Sequence, residues 1–302
     1  MLRSAEGSHL NAFGVIEWGL LAAVALIWGS SFLLIAEGLE AYSPGLVTWV
    51  RLTLGMLTLL LFPAARRPLD RRDWPQIAAL ALLWMAIPFL LFPIAQQWIS
   101  SSLAGMLNGG APLFAAVVAA LLLRRLPGKA QLTGLFVGFI GVVLLTVFGV
   151  EAPASSTVLG IALVIVAVAC YGFAVNIAVP LQQRYGSLPV LLRALAIASA
   201  VTAPFGLAGL GTASPAWLPT LSLVGLGVLG SGLAFVAMTN LVGRAGATRG
   251  AVAIYFIPIV ALVLGVAVRG ETVTVPALVG IGLVLVGAYV TSRRDTAAPA
   301  TA

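Results

Sequence analysis

The chain has 302 residues, of which 61% are hydrophobic and only 8% are charged, and its mean hydropathy is +1.11. A soluble globular domain carries about 25% charged residues, so this composition excludes an ordinary soluble protein. The formal net charge of +7 would suit nucleic acid, but the basic residues are divided among many short connectors, and we expect no nucleic-acid partner. The single cysteine, Cys170, excludes a disulfide within the chain and a cysteine-based zinc site; no cofactor or metal is expected.

Ten long apolar stretches, nearly free of charge, follow one another from Ile16 to Thr291. A bilayer core about 30 Å thick requires roughly 20 apolar residues to be crossed by a helix, so each stretch is predicted to span the membrane. The first stretch is expected to be retained, because the residues before it lack the features of a signal peptide. The predicted spans cover residues 16–36, 44–62, 74–97, 101–123, 130–149, 157–180, 188–210, 217–241, 247–268 and 273–292.

The basic residues are distributed unequally between the two predicted sides of the membrane. Alternate connectors and tails hold twelve Lys and Arg residues on one side, whereas the other side holds Arg269 alone. The twelve are Arg3, Arg66, Arg67, Arg71, Arg72, Arg124, Arg125, Lys129, Arg184, Arg244, Arg293 and Arg294. Because short cytoplasmic loops collect Lys and Arg, both termini are predicted to be cytoplasmic. We therefore expect a multi-pass protein of the bacterial inner (plasma) membrane.

The chain divides near Glu151 into two units of five predicted spans, residues 1–150 and 151–302, which form one integrated domain. With an offset of 146 residues, the stretch 98–147 aligns without a gap on 244–293. The alignment pairs Pro112 with Pro258, Gly134 with Gly280, Gly141 with Gly287 and Arg125 with Glu271. Because five is odd, the second unit enters the membrane from the opposite side. The predicted fold is an all-α membrane protein with two inverted-topology five-helix repeats around a central cavity, as in many secondary transporters.

Three segments then suggest a family: residues 25–32 (ALIWGSSF), 95–105 (AQQWISSSLAG) followed by Pro112, and 249–258 (RGAVAIYFIP) followed by Glu271. Their order and spacing resemble the EamA-type members of the drug/metabolite transporter superfamily, over nearly the whole chain. This resemblance implies a carrier that exports amino acids or other small metabolites, with the YddG-like exporters of aromatic amino acids as a plausible branch. The chain departs from the family pattern at Arg125, where a Glu is common, while Glu271 keeps the acidic residue in the second half.

Prolines within the predicted spans mark where helices are expected to bend. Pro112 and Pro258 lie about half-way along their spans and are paired by the repeat, and Pro88 lies within the third span. A proline inside a helix frees a carbonyl group and bends the helix. Matching interruptions in both halves of a membrane protein indicate a transport site, although bending for packing alone is the alternative.

Polar and aromatic side chains at middle depth complete the predicted site. Amides and hydroxyls can bind the ends of a zwitterion, and aromatic rings can stack on a flat side chain. The predicted substrate-binding residues are Trp28, Ser31, Gln96, Asn108, Tyr171, Asn176, Ser231 and Tyr255. The alternative for each polar group is a hydrogen bond to a neighbouring helix.

Among the residues of the predicted spans, Arg51 has the highest free-energy cost of burial in the membrane. It lies seven positions past Pro44 and so about 10 Å below the membrane surface. We expect a structural role for Arg51, in which it extends outward to the surface or pairs with Glu37 or Glu40. Binding of a substrate carboxylate is the alternative.

No Asp or Glu falls at middle depth in any predicted span, and the one histidine, His9, lies in the tail. The sequence therefore predicts an alternating-access exporter of small amphiphilic metabolites, amino acids first, without a proton-relay carboxylate. A proton-coupled multidrug cation extruder is the alternative. An intramembrane enzyme would need a metal cluster or an acid–base pair, and a channel would favour rings of charge. The expected partners are a small-molecule substrate and lipid; a monomer would suffice, although glycine-rich faces leave a dimer open.

Overall fold

The computed structural model describes residues 14–123, 129–148, 155–245, 250 and 252–292, which form helices and turns without a strand. The predicted basic positions in both tails, together with Arg124, Arg125 and Arg249, lie outside these residues. The α-helices are α1 (Val15–Leu39), α2 (Pro44–Leu60), α3 (Trp74–Leu80), α4 (Ile87–Ala95), α5 (Ser101–Asn108), α6 (Ala111–Leu123), α7 (Lys129–Phe148), α8 (Ser155–Tyr185), α9 (Ser187–Ala208), α10 (Trp217–Gly225), α11 (Ala234–Ala245), α12 (Val252–Arg269) and α13 (Val275–Ser292).

Seven helical stretches among the described residues are long and apolar enough to cross a membrane. They are Val15–Leu39, Arg71–Ala95, Ser101–Val118, Thr157–Tyr185, Ser187–Thr212, Trp217–Ala245 and Val252–Arg269. Three shorter apolar helices, Pro44–Leu60, Leu132–Leu145 and Val275–Gly287, lie where the second, fifth and tenth spans are predicted. The all-helical prediction is confirmed, whereas the count of ten spans stays a prediction.

The outer surface of the helix bundle is apolar. Large hydrophobic side chains remain exposed on many helices, among them Leu121 at 69%, Phe136 at 66% and Trp217 at 80%. Exposed apolar surface on this scale marks contact with something other than water. Together with the length of the helices, it indicates that lipid covers the bundle.

Two π-helical segments interrupt the third predicted span of each half. The first π segment, Ala81–Ala86, joins α3 to α4, and the second π segment, Leu226–Leu233, joins α10 to α11. Shifting the first by 146 residues gives 227–232, which falls inside the second. After the first π segment, Pro88 has no N–H to donate to the carbonyl group one turn earlier. Widened turns of this kind are frequent at functional sites.

The three predicted bending prolines have different local environments. The fourth predicted span breaks at Gly109 and Gly110 between α5 and α6, and Pro112 lies in the first turn of α6, where a missing N–H costs little. Pro88 lies at the start of α4. Pro258 lies inside the continuous helix α12, and its side chain is buried. The first half therefore has a break beside Pro112, whereas α12 continues through Pro258, and bending at Pro258 stays a prediction.

Glycines bring α7 and α13 into direct backbone contact. A Cβ on Gly141 would meet the carbonyl oxygen of Gly280, and one on Gly280 would meet that of Gly141. A Cβ on Gly287 would meet the backbone of Gly134 and Gly138. The offset of 146 converts the pair Gly134–Gly287 into the pair Gly280–Gly141. Such an exchange of partners is typical of a contact related by a two-fold axis.

A second close crossing joins α1, α5 and α12. An added Cβ on Gly105 of α5 would overlap the Cβ of Ala261 in α12, and one on Gly29 of α1 would overlap the side chain of Val260. Phe32, Leu103 and Ile257 are buried in the same hydrophobic cluster. Because small residues let membrane helices approach closely, this crossing holds together helices from both halves of the chain.

This crossing predicts that Gly105→Ala destabilises the protein. The new methyl group forces α5 and α12 apart, at a cost of about 1–3 kcal/mol. The measurement is the thermal unfolding midpoint of the purified protein in detergent micelles. The matched control is Gly19→Ala in α1, where an added Cβ meets nothing within 4 Å, so the unfolding temperature should stay equal or rise. Equal midpoints for the two variants would contradict the tight crossing.

Candidate substrate cavity

A cavity of about 170 Å³ lies between the helices, near the middle of α1, α2 and α8 and beside the break between α5 and α6. Its walls come from both halves of the chain. Aromatic rings form most of the wall, contributed by Trp28, Phe32, Trp84, Phe89, Phe92, Tyr171 and Phe235. A mostly apolar wall with a few polar groups is the usual lining of a small-molecule site.

The rings are fixed by contacts between the two halves. Trp28 meets Phe235 edge-on with centroids 5.4 Å apart, and Phe235 meets Trp84 at 6.0 Å. The Trp28 indole N–H also donates to the carbonyl oxygen of Gly230 at 3.0 Å. Since Gly230 lies in the second π segment, that widened turn supplies the acceptor that a buried indole needs.

Three polar side chains line the cavity besides the Tyr171 hydroxyl: Ser31, Arg51 and Asn108. The Ser31 hydroxyl donates back to the carbonyl oxygen of Ile27 at 3.0 Å. Asn108 is the last residue of α5 and reaches the cavity because the helix ends there. Four predicted site residues, Trp28, Ser31, Asn108 and Tyr171, are thus brought together around one space.

The predicted pairing of Arg51 with Glu37 or Glu40 is wrong. Both carboxylates bind Arg269 instead, at 2.6 Å from Glu37 and 2.8 Å from Glu40. Arg51 lies in the middle of α2 with 6% of its surface exposed, and it lines the cavity rather than reaching outward. The helix geometry explains the difference: α2 turns this position toward the cavity, while Glu37 and Glu40 lie at the end of α1.

The other four predicted site residues lie outside the cavity lining. Ser231 is fully buried beside it and accepts a hydrogen bond from Arg51 Nε at 2.8 Å. Asn176 donates to the carbonyl oxygens of Gly172 at 2.8 Å and Ala115 at 3.3 Å, which ties α8 to α6. Tyr255 is not among the lining residues, although its neighbour Ile254 is. Their roles in binding stay predictions.

Gln96 lines a separate pocket of about 460 Å³ at the end of the bundle that holds Arg269. Both polar atoms of the Gln96 amide are buried without a hydrogen-bond partner among the described residues. The pocket also contains Glu40, Tyr42, Gln97 and Arg269, so it is more polar than the central cavity. The ends of α1, α4 and α12 and the start of α2 meet here.

Polar contacts between the two halves close the bundle at this Arg269 end. Gly270 ends α12 with φ of 64°, a left-handed conformation that favours glycine, and it turns the chain toward α5. Glu271 then accepts hydrogen bonds from the backbone N–H groups of Ser101 at 2.9 Å and Ser102 at 2.8 Å. The Ser101 hydroxyl adds a third at 2.6 Å. A carboxylate is thus bound at a helix N-terminus, where the helix dipole favours negative charge.

Ion pairs also join the two halves at the opposite end of the bundle, where Arg244 lies. Arg244 of α11 binds Glu17 of α1 at 2.6 Å, and Arg184 of α8 binds Asp73 at 2.9 Å. Arg193 of α9 donates to backbone carbonyl groups that follow α2. The predicted spans contain Arg193 as well as Arg51, but the structure brings Arg193 to the bundle end and Arg51 to the cavity.

Sequence reasoning did not select Arg51 or five of the rings: Phe32, Trp84, Phe89, Phe92 and Phe235. A spacing signal was present, since Trp28 and Phe32 are four residues apart and Phe89 and Phe92 are three apart, which places each pair on one helix face. In a chain that is apolar throughout, however, such pairs do not reveal whether they face lipid or a cavity.

The apolar exterior and the length of the helices indicate a multi-pass membrane protein with a cavity between its two halves, and similarity to known proteins agrees. The sequence profile of the EamA-like transporter family matches residues 16–147 and again residues 158–293. The chain therefore belongs to the EamA-like transporter family, which confirms the predicted family. The similarity does not confirm the narrower YddG-like branch.

Relatives from bacteria and archaea match nearly the full length. A probable terminal-alkyne amino-acid exporter of Streptantibioticus cattleyicolor is 30% identical, covering 92% of this chain and 93% of its own. The transporter YdfC of Bacillus subtilis is 30% identical over 86% of this chain and 85% of its own. The inner membrane transporter YedA of Escherichia coli is 26% identical over 93% and 94%. A crystal structure with 18% identity has the same fold, with a TM-score of 0.65 over 91% of this chain and 95% of that one.

The contact of Glu271 with α5 predicts a pH-dependent stability. Burial raises the pKa of the Glu271 carboxyl group, but the hydrogen bonds from Ser101 and Ser102 outweigh it and hold that pKa below its ordinary value of 4.5. A lowered pKa stabilises the fold above pH 4.5, and this contribution is lost as the pH falls through the folded-state pKa. Glu271→Gln should therefore lower stability by about 1 kcal/mol at neutral pH.

The measurement is thermal unfolding of both proteins in detergent between neutral pH and pH 4. The difference between them should shrink on acidification, because the wild-type carboxylate becomes protonated. Glu40→Gln is the matched control, since that side chain is 59% exposed and exposed ion pairs contribute little. A difference that does not change with pH would contradict the role of charge at Glu271.

Proposed function

We propose that this protein is a secondary transporter that exports small amphiphilic metabolites, with amino acids as the first candidates, by alternating access. The family and the relatives are transporters, and the Streptantibioticus relative carries the name of a probable amino-acid exporter. The observation that carries the proposal is the composition of the cavity wall. Aromatic rings suit an apolar side chain, while Asn108, Arg51 and Ser31 suit the polar end of the same molecule.

The position of the cavity between the halves supports alternating access. Trp28, Arg51 and Asn108 belong to the first half, and Tyr171 and Phe235 belong to the second. A movement of one half against the other therefore changes the site and its access together. The exchanged glycine contacts of α7 and α13 support two inverted repeats of five spans, divided at residues 150 and 151. With this arrangement, both termini lie in the cytoplasm and the Arg269 end faces outward.

We also propose that transport follows the substrate's own gradient without a carboxylate relay, and that the protein is no enzyme. The described chain contains six carboxylates, and each has a partner at a bundle end. Glu37 and Glu40 bind Arg269, Glu17 binds Arg244, Asp70 and Asp73 bind Arg184, and Glu271 binds the N-terminus of α5. None of these six lines the central cavity, where a proton-relay group would have to lie.

A proton-coupled multidrug cation extruder is the second candidate. The ring-lined wall favours it, because aromatic faces attract cations. The guanidinium group of Arg51 in the same wall opposes it, because like charges repel in a space of about 170 Å³. We therefore rank amino acids above cations.

Reconstitution of the full chain into liposomes tests the function. Uptake of a panel of amino acids, choline-like cations and sugar phosphates should show saturable transport of apolar amino acids. Asn108→Ala should reduce transport of the best substrate about five-fold, as expected for one lost hydrogen bond. Asn240→Ala is the control, because that exposed amide donates to Val236 of its own helix. Linear uptake up to high concentration would indicate a channel, and an unchanged rate in Asn108→Ala would place the site elsewhere.

The same liposomes test the coupling. With equal substrate concentrations inside and outside, an imposed pH gradient should drive no accumulation, because no relay group is expected in the cavity. Exchange of labelled for unlabelled substrate in the same vesicles shows that the protein is active. Substrate accumulation driven by protons alone would refute transport without coupling.

A further inference from the structure

The guanidinium group of Arg51 is held in the cavity wall by two neutral partners. Its Nε donates to the Ser231 hydroxyl at 2.8 Å, and its Cζ lies 3.7 Å from the centroid of the Phe89 ring. Ser231 is itself fully buried in the second π segment. These contacts fix the group through one nitrogen and one face. The two terminal nitrogens carry four of the five guanidinium donors.

This positive charge has no counter-ion among the described residues. The six described carboxylates are engaged at the ends of the bundle, and none of them forms an ion pair with Arg51. A serine hydroxyl and a phenyl ring orient the guanidinium group but do not neutralise it. An unpaired charge inside a membrane protein costs several kcal/mol, so such residues are retained where function needs them.

The shape of the remaining cavity wall limits what can supply the missing negative charge. Beyond Arg51, the walls are mostly rings and aliphatic side chains, with Ser31, Asn108 and the Tyr171 hydroxyl as further polar groups. The volume of about 170 Å³ is close to that of a cavity that holds one benzene molecule, about 150 Å³. The space therefore suits one anionic head group joined to one ring or one short branched chain.

We propose that Arg51 binds the carboxylate of the transported molecule and that the ring-lined remainder of the cavity receives its apolar side chain. This inference rests on the proposed function and narrows its substrate class to small apolar monocarboxylates, including zwitterionic amino acids. The planar guanidinium group can bind a carboxylate with two parallel hydrogen bonds, while Ser231 holds Nε in place. The same charge excludes organic cations, which separates this substrate class from that of a multidrug extruder.

A head-group series on one side chain tests the inference without a mutation. The probes are L-leucine, 4-methylpentanoate, leucinamide and 3-methylbutylamine, added to the full-length protein in chloride-free sulfate buffer. Fluorescence of Trp28 and Trp84 in the cavity wall, or a shift of the unfolding temperature, reports binding. The two carboxylates should bind at least about ten-fold more tightly than the two cations. Tighter binding of the cations, or no binding of either carboxylate, overturns the inference.

Variants then assign the effect to Arg51. Arg51→Gln should weaken the binding of both carboxylates at least about ten-fold, while the cations should bind equally well or more tightly. Arg51→Lys should retain part of the preference for carboxylates. Ser231→Ala retains the charge of Arg51 and should therefore weaken the binding of carboxylates less than Arg51→Gln does. Arg71→Gln removes the same charge from an exposed position and should leave the series unchanged. If Arg51→Gln fails to fold, the preference for carboxylates over cations, measured in wild type and in Ser231→Ala, still tests the inference.

Transport in liposomes separates this inference from the proposed function. Binding of 4-methylpentanoate with no amino-acid transport would refute amino-acid export and leave the role of Arg51 standing. Transport of leucine at equal rates in wild type and Arg51→Gln would support amino-acid export and refute the role of Arg51. Chloride that occupies the site as well as 4-methylpentanoate does, with no gain from the apolar chain, would show a simple anion site and overturn the inference.

Discussion

The structure depends on one constraint, which is that lipid offers no partner to a charge or to a backbone polar group. The six described carboxylates accordingly lie at the ends of the bundle, five in ion pairs with Arg269, Arg244 or Arg184 and one at the N-terminus of α5. The same contacts join the two halves of the chain. These six charges therefore lie at the two ends of the bundle, where they hold the halves together. Among the described residues, Arg51 departs from this pattern, because it lies in the cavity wall without a counter-ion, and we propose a role in binding for it on that ground.

The break between α5 and α6 shows how backbone groups at middle depth remain satisfied. The start of α5 is complete, because Glu271 accepts from Ser101 and Ser102 and the Ser100 hydroxyl accepts from Leu103. Its end at Asn108 opens beside the cavity, where irregular backbone is tolerated because the surroundings are protein rather than lipid. A helix that is well capped at the bundle end and interrupted at the cavity places an amide side chain at the site.

The sequence predicted much of the fold but only half of the selected site residues fall in the cavity lining. Long apolar runs and prolines depend on local composition, so the helices and the break beside Pro112 could be predicted. Trp28, Ser31, Asn108 and Tyr171 were selected as polar or aromatic residues at middle depth, which is also local information, and all four line the cavity. The partners of Arg51 and Asn176 depend on helix rotation, which a uniformly apolar chain does not encode in its periodicity. The π segments also could not be predicted, because a widened turn leaves no pattern distinct from that of an α-helix.

The two π segments connect the fold to the chemistry of the cavity. The first carries Trp84 into the wall, and the second supplies both the Gly230 carbonyl group to Trp28 and the Ser231 hydroxyl to Arg51. Trp28 and Arg51 belong to the first half, whereas Gly230 and Ser231 belong to the second. A substrate that binds Arg51 would therefore contact a guanidinium group that Ser231, a residue of the other half, holds in place. Under the proposed alternating access, a movement of one half against the other changes these two hydrogen bonds, and with them the guanidinium group to which the substrate is proposed to bind.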